Sequence, residues 1–351
     1  MNKRDEIKKI WRECFNDSQS YVDMYFSRVY RDEDAMTLAK EGQIVSSLLL
    51  QQYPLLFHDK ELSMGYIAGA ATRRNHRGRG YMAELMHNAL KCSVERGDMM
   101  CSLIPAHDWL YFYYVKFGFS TVFYVDPQRF TSLHSFPTEG EYFPVDDFYS
   151  SDVYDAFHSM ETRRKCSVIH SKRDFLNILD DLKIDGGQFV VMADQSRRIV
   201  SMLWASEIDD VVVVRELMGY DSNSRKAALR QLRKLNPEKP MKVLAPPLDE
   251  HRKLYDRGMA RIVNVKLCLD AIAQGHPDYK AKIRVYDNML NDNNHIYIIE
   301  NGECGIDDSC KHKLDLDVTL DVFNRIVFSS ESIGKIIGFP SVRPQMSLML
   351  D

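Results

Sequence analysis

Apolar positions in the first fifteen residues recur at helical spacing, so that Ile7, Ile10, Trp11 and Cys14 share one face of a helix expected over residues 5–15. Ser18 can cap a second helix carrying Tyr21, Met24, Tyr25 and Val29 at the same period. The period then shortens. Strands are predicted over residues 35–39, 44–53 and 61–72, with turns at Glu41-Gly42 and Asp59-Lys60. Beyond a polar loop, Met82, Leu85, Met86, Ala89, Leu90 and Val94 line one helical face, and Gly97 stands where a C-terminal cap belongs. A strand over 99–104, a short helix through Tyr113 and Tyr114 ending near Gly118, and a strand over 119–125 complete the series.

Residues 141–265 read as a second copy of this order. The stretch AKEGQIVSSLLL (39–50) returns as ADQSRRIVSMLWA (193–205), each with Ile-Val-Ser-x-Leu after a polar hairpin. LIPAHDWLYFYYVKFGF (103–119) has an echo in LAPPLDEHRKLYDRGM (244–259), and a strand over 211–217 and a helix over 225–235 lie between these marks. From residue 267 the pattern changes to short alternating strands in AKIRVYDNML, NHIYIIENGECG and DLDVTLDVFNRIVF, with a helix over 320–327. The expected fold class is α/β (α+β). Two tandem mixed-sheet domains, residues 1–130 and 131–265, precede a smaller α+β domain over 266–351.

Composition narrows the function classes. The 351 residues are 45% hydrophobic and 27% charged, as in a soluble globular protein, and carry a formal net charge of -4. A general nucleic-acid binder is usually basic overall, so no nucleic-acid partner is expected. The start, MNKRDEIKKIW, is too charged for a secretory signal, and no apolar run approaches the ~20 residues of a membrane span. Seven scattered cysteines fit reduced thiols, so a cytoplasmic chain without a membrane partner is expected. Cys304, Cys310 and His312 are not at a common zinc spacing and lack a nearby fourth ligand. A turn at Asn301-Gly302 between two strands is expected there instead, and no metal.

The chemistry concentrates in TRRNHRGRGYMAEL, residues 72–85. A strand runs into a glycine-containing loop that opens a helix, and the first amides of a helix lack internal partners while its dipole is positive there. Such a place binds pyrophosphate. Gly78 and Gly80 let the backbone approach an anion, and Arg77 and Arg79 add charge. A solvated basic turn is the other reading of these residues taken alone.

Arg77-Gly78-Arg79-Gly80 resembles the R/Q-x-x-G-x-G/A signature of the Gcn5-related N-acetyltransferases (GNAT), and the element order resembles that fold. The resemblance implies acetyl-CoA as cosubstrate. Its pyrophosphate would meet the amides from Arg77 through Gly78, Arg79, Gly80 and Tyr81 to Met82, and its pantetheine arm would pair with backbone near Thr72 and Arg74. Met82 stands where Gly or Ala is usual, and Arg74 where proline is frequent. A large residue at Met82's position also occurs in the Eis-like (enhanced intracellular survival) branch. Residues 103–119 resemble the end of the GNAT core, where Tyr114, four residues before Gly118, matches the family's general acid. A phenol near the sulfur would protonate the departing thiolate, although Tyr111, Phe112 and Tyr113 compete as neighbours.

The second copy has no such loop. MGYDSNSRKAAL (218–229) offers Asp221 or Ser222 as an ordinary helix cap, and Asp221 would repel phosphate, so this copy reads as degenerate and structural. The last region resembles the sterol-carrier-protein-like domain that ends Eis-like acetyltransferases. In that branch the chain end returns to the active site and its carboxylate serves as base. This would give the role to Asp351, through its main-chain or its side-chain carboxyl, anchored by the apolar Met346–Leu350 run. Purely structural docking of the tail is the other use of that run. The function implied is acetyl transfer to a primary amine of a small cationic molecule, in a possible homo-oligomer. The alternative is a non-catalytic acyl-CoA or lipid binder.

Overall fold

The computed structural model describes residues 2–247, 254–309 and 313–350. The first unit contains α1 (Lys3–Cys14), α2 (Gln19–Met24), β1 (Ala35–Lys40), β2 (Gln43–Phe57), β3 (Lys60–Thr72), α3 (Tyr81–Glu95), β4 (Met100–Leu103), α4 (Asp108–Val115) and β5 (Ser120–Phe130). Next come β6 (Phe143–Pro144), α5 (Ser151–Glu161), β7 (Cys166–Val168), α6 (Lys172–Ile184), β8 (Gln188–Ala193), β9 (Ile199–Ile208), β10 (Val211–Gly219), α7 (Ser222–Leu235), β11 (Met241–Ala245) and β12 (Tyr255–Ile262). The last are α8 (Val265–Gly275), β13 (Ala281–Tyr286), β14 (Ile296–Glu300), β15 (Glu303–Ile306), β16 (Leu316–Thr319), α9 (Leu320–Val327) and α10 (Glu331–Ile337). The chain is a mixed α/β protein, as its pattern predicts.

Strand periodicity sorts the core into two faces. Leu48, Leu50, Ile67, Cys101 and Leu103 join Leu85, Met86, Ala89 and Leu90 of α3 and Tyr114 of α4 in one cluster. Their neighbours Leu49, Tyr66, Ala68 and Met100 join Ile7 and Trp11 of α1 and the aromatic residues of α2 in another. The second helix differs from the expected single run. After Met24 it widens into a π-helical turn over Tyr25–Val29, closed by Tyr30 N–H to the Tyr25 carbonyl at 2.9 Å. The Tyr25 and Phe26 ring centroids lie 4.8 and 5.6 Å from that of Trp11.

The two copies do not form separate sheets. One sheet runs in the order β1-β2-β3-β4-β12-β5-β11-β10-β9-β8-β6, with β7 added on β2. Strand β12 inserts between β4 and β5, placing Met259 opposite Leu103 and Tyr255 opposite Val125. The far half of β5 pairs with β11, Phe130 opposite Met241. The last unit has its own sheet, in the order β15-β14-β13-β16. The expected turn is present there: Asn301 and Gly302 have φ of 52° and 78°.

A buried cation ties that unit to the others. Arg261 of β12 is fully buried, and its Nη2 donates to both carboxylate oxygens of Asp287 at 2.6 and 2.5 Å. Its Nη1 donates to the Phe117 carbonyl at 2.5 Å. The Asp287 carboxylate also accepts from the amides of Met289 and Leu290 and from Asn293 Nδ2. Two features of the Gly118 turn follow. Gly118 has φ +79°, and a Cβ there would lie 2.5 Å from Arg261 Nη1. Asn324 of α9 donates to the Gly118 carbonyl at 2.9 Å. Breaking a buried pair strands one charge in a low dielectric and costs about 3–5 kcal/mol, whereas replacing both partners by apolar residues is far milder. Asp287→Ala is therefore expected to lower stability by about that amount in urea unfolding. The Arg261→Met/Asp287→Leu pair should lose less than Asp287→Ala alone; an equal or larger loss would contradict this reading.

Candidate active site

Strands β3 and β4 run parallel and pair only from Met64 opposite Met100 to Tyr66 opposite Ser102. Beyond that point they part. Strand β3 continues against β2, but with an extra residue: Leu49 faces Ala68 and Ser47 faces Ala71. This bulge uses Gly69, with φ +57°, where a Cβ would stand 2.2 Å from the Trp11 ring. The result is a V-shaped opening with irregular backbone on one wall.

At the end of β3 the arginines divide into two groups. Arg73 is held by α1 and β2, with Nη2 to Glu6 at 2.9 Å, Nη1 to Glu13 at 3.3 Å and Nε to the Ile44 carbonyl. Arg74 donates its amide to Glu13 Oε1 at 2.6 Å and its Nε to the Glu13 carbonyl. Arg77 and Arg79 are exposed, and Arg77 Nε reaches the Thr72 carbonyl at 3.2 Å. That carbonyl also accepts from the Cys14 thiol. The Thr72 carbonyl and Arg74 amide thus have protein partners that a pantetheine arm would have to displace.

The loop itself is shaped for an anion. Gly78 and Gly80 are left-handed, with φ of +75° and +79°, and open space lies where their Cβ atoms would be. Gly80 caps α3 without any side-chain hydrogen bond. The amides of Gly78 through Ala83 find no acceptor among the described residues. Lys40 adds a cation at this helix start, 5.2 Å from the Tyr81 ring centroid and 3.8 Å from Glu84. Met82 turns inward and packs against the cluster beneath α3, so its bulk faces the core.

Of the residues on α4, Tyr114 alone is buried. It lies in the same cluster as Leu103, at the end of β4, and its hydroxyl has no hydrogen-bond partner among the described residues. Burial, then neighbouring Tyr113, pushes its phenol up to about 12. Burial also raises Tyr111 and Tyr113, but both are only partly buried. The chain end approaches from the other face. Gln345 bonds the backbone of Cys166 and Val168, and Met346 lies against Gly258, beside the Leu103 carbonyl. Ser347 donates to Glu216, and Met349 and Leu350 are buried. Asp351 lies outside the described residues.

Two acidic residues had no signal in the sequence. The carboxyl of Asp256 on β12 is raised first by burial and then by repulsion from Asp108 of α4. Both also act on Tyr111. They come near one another only because β12 pairs with β5, Asp256 opposite Tyr124. Among the described residues no group of three or more His, Cys, Asp or Glu side chains could hold a metal ion. Cys304 is buried on β15, while Cys310 and His312 lie outside the described residues. No described helix is long and apolar enough to cross a membrane.

The second copy contrasts with the first. Helix α7 begins at Ser222, three residues before its expected start, because Asp221 closes a capping box with Ser224. The Ser224 amide, first of several donors there, holds the Asp221 carboxyl below its ordinary range. This helix start is filled by its own carboxylate.

Residues 2–122 match the family model described as an acetyltransferase (GNAT) domain. No curated protein matches the chain. Among solved structures, a probable N-acyltransferase from Enterococcus faecalis V583 is 13% identical with a TM-score of 0.78, over 98% of this chain and 96% of that one. A GCN5-related N-acetyltransferase from Anabaena variabilis is 14% identical with a TM-score of 0.77, over 97% and 96%. Eis1 from Mycobacterium abscessus is 13% identical with a TM-score of 0.72, over 96% and 90%. At such identities the structural likeness speaks for the fold. Residues 2–122 are thus similar to an acetyltransferase (GNAT) domain, and the chain as a whole shares its fold with these structures.

An aspartate at Gly80 would place a negative charge among the unpaired amides. Gly80→Asp is expected to weaken acetyl-CoA binding by about tenfold or more in calorimetry. Gly97→Asp imposes the same left-handed strain at the far end of α3, at φ +80°, and should leave binding within about twofold of native. Equal losses in the two variants would assign the effect to strain.

Proposed function

We propose that the chain transfers an acetyl group from acetyl-CoA to a primary amine of a small cationic molecule. The observation that carries this is the uncapped start of α3, with amides from Gly78 to Ala83 unpaired beside exposed Arg77 and Arg79, at the mouth of the β3–β4 opening. Acetyl-CoA supplies the reactive thioester. The loop amides and the two arginines would hold its pyrophosphate. Backbone N–H groups near the Gly69 bulge would stabilise the developing oxyanion. Tyr114 is protonated at neutral pH like any phenol, burial extends that protonation further into the alkaline range, and it would deliver its proton to the departing sulfur.

The acceptor amine must lose a proton before it attacks. The apolar run through Leu350 is packed against the chain, which supports a role for the following carboxyl groups of Asp351 as base. Asp108 and Asp256 supply negative charge beside α4, which suits a cationic acceptor. We assign residues 1–130 to the acetyl-CoA unit, 131–265 to its degenerate copy and 266–351 to a sterol-carrier-protein-like unit.

Tyr114→Phe keeps the ring and removes the proton. It is expected to lower kcat by ~10²–10⁴ while the acetyl-CoA Kd stays unchanged. A parallel loss of affinity would make Tyr114 a packing residue. The sign of its pKa shift gives a further test. A phenol raised to about 12 remains protonated across the working range, so no alkaline fall in kcat below about pH 11 should trace to this residue. An alkaline limb below that pH that disappears in Tyr114→Phe would contradict the raised phenol while still marking Tyr114 as the acid.

A further inference from the structure

The second copy repeats the opening of the first without its phosphate loop. Strands β10 and β11 run parallel from Val212 opposite Met241 to Val214 opposite Val243, and then part. A cavity of about 490 Å³ lies in this opening. That is ample for a small organic ligand. Its walls are apolar, with Phe130, Phe136, Met160, Leu217 and Leu229 among them.

Its charge is one-sided. Arg163, Arg164, Arg225 and Lys226 line it, and no aspartate or glutamate does. Two of these cations are committed within the protein: Arg164 pairs with Glu216 at 3.1 Å, and Arg225 donates to the Gly219 carbonyl at 3.1 Å. Arg163 sits 4.7 Å from the Tyr220 ring centroid and has no carboxylate partner among the described residues. Lys226 likewise has none. The other nearby acids are occupied, Glu216 by Arg164 and Ser347, and Asp221 by the start of α7. The apolar walls gain by shedding water, and the exposed cations at the rim offer an anionic head a partner.

We propose that this cavity is a second ligand site that takes an anionic amphiphile, a carboxylate or phosphate head on a short hydrocarbon body. The head would lie between Arg163 and Lys226, and the body against Phe130, Phe136 and Leu217. The pyrophosphate mode of the first copy is closed here, because Asp221 already accepts from the Ser224 amide at 2.7 Å. The side-chain cations would do what the helix amides do in the first copy, so this site selects a different ligand from CoA.

The test is calorimetric titration of the full chain with octanoate, octyl phosphate and neutral octanol, each with and without saturating CoA. The head that binds more tightly identifies the source, carboxylate or phosphate. Binding should survive the presence of CoA, weaken with added salt, and fall by about tenfold or more in Arg163→Gln/Lys226→Gln. Both side chains are exposed, and a melting curve matching that of the native chain verifies the variant's fold. Should the variant melt early, Lys226→Gln alone provides the comparison. Failure of both anions to bind, octanol binding as well as they do, displacement by CoA, or unchanged binding in the variant would each overturn the proposal. A chain that fails to take CoA at the first site can still bind the anions, so the two readings fail separately.

Discussion

Arg261 is the point through which the three parts of the chain constrain one another. It belongs to β12, the strand that wedges β4 apart from β5. Its guanidinium is neutralised by Asp287 of the last unit and spends its other arm on the Phe117 carbonyl at the end of α4. A planar, permanently charged fork can serve two directions at once, which a lysine could not. The burial cost of that charge is met only when all three parts are in place. The turn at Gly118 is then held from two sides, and with it the register of α4 that sends Tyr114 alone of its helix into the core.

The two parted strand pairs share a geometry and differ at the helix that follows. Both copies have a parallel pair that opens after a few residues and a helix beginning at the mouth. In the first, Gly80 supplies no side chain and the amides remain available. In the second, Asp221 takes that place and the helix is complete without a ligand. One side chain at the helix cap separates an open helix start from a closed one. The arginines around the second opening show that losing the first kind of site does not empty a cavity of charge.

How much could be read from sequence depended on distance along the chain. The glycine loop and the helix faces were legible because each rests on residues within about a turn or a hairpin of one another. The Ile-Val-Ser-x-Leu echo falls on the second strand of two hairpins, β1–β2 and β8–β9. The exchange of β5 and β12 was not legible, since alternating strands carry no label for the partner they choose. The same limit hid Asp256, which acquires its carboxyl neighbour only after β12 inserts. It also hid the partners of Arg73 and Arg74, which are Glu6 and Glu13 of α1. The π-helical turn at Tyr25–Val29 escaped because its residues keep the apolar spacing of an ordinary helix.

The central claim is that this geometry moves an acetyl group from a thioester to an amine. The most direct measurement is release of the CoA thiol from acetyl-CoA in the presence of a panel of cationic amines, with the products weighed by mass spectrometry. The account predicts release that depends on amine and enzyme concentration and is matched by N-acetylated product. Acetyl-CoA that binds tightly, yet is cleaved no faster with any amine than with water, would contradict it and leave the chain a binder of acyl-CoA.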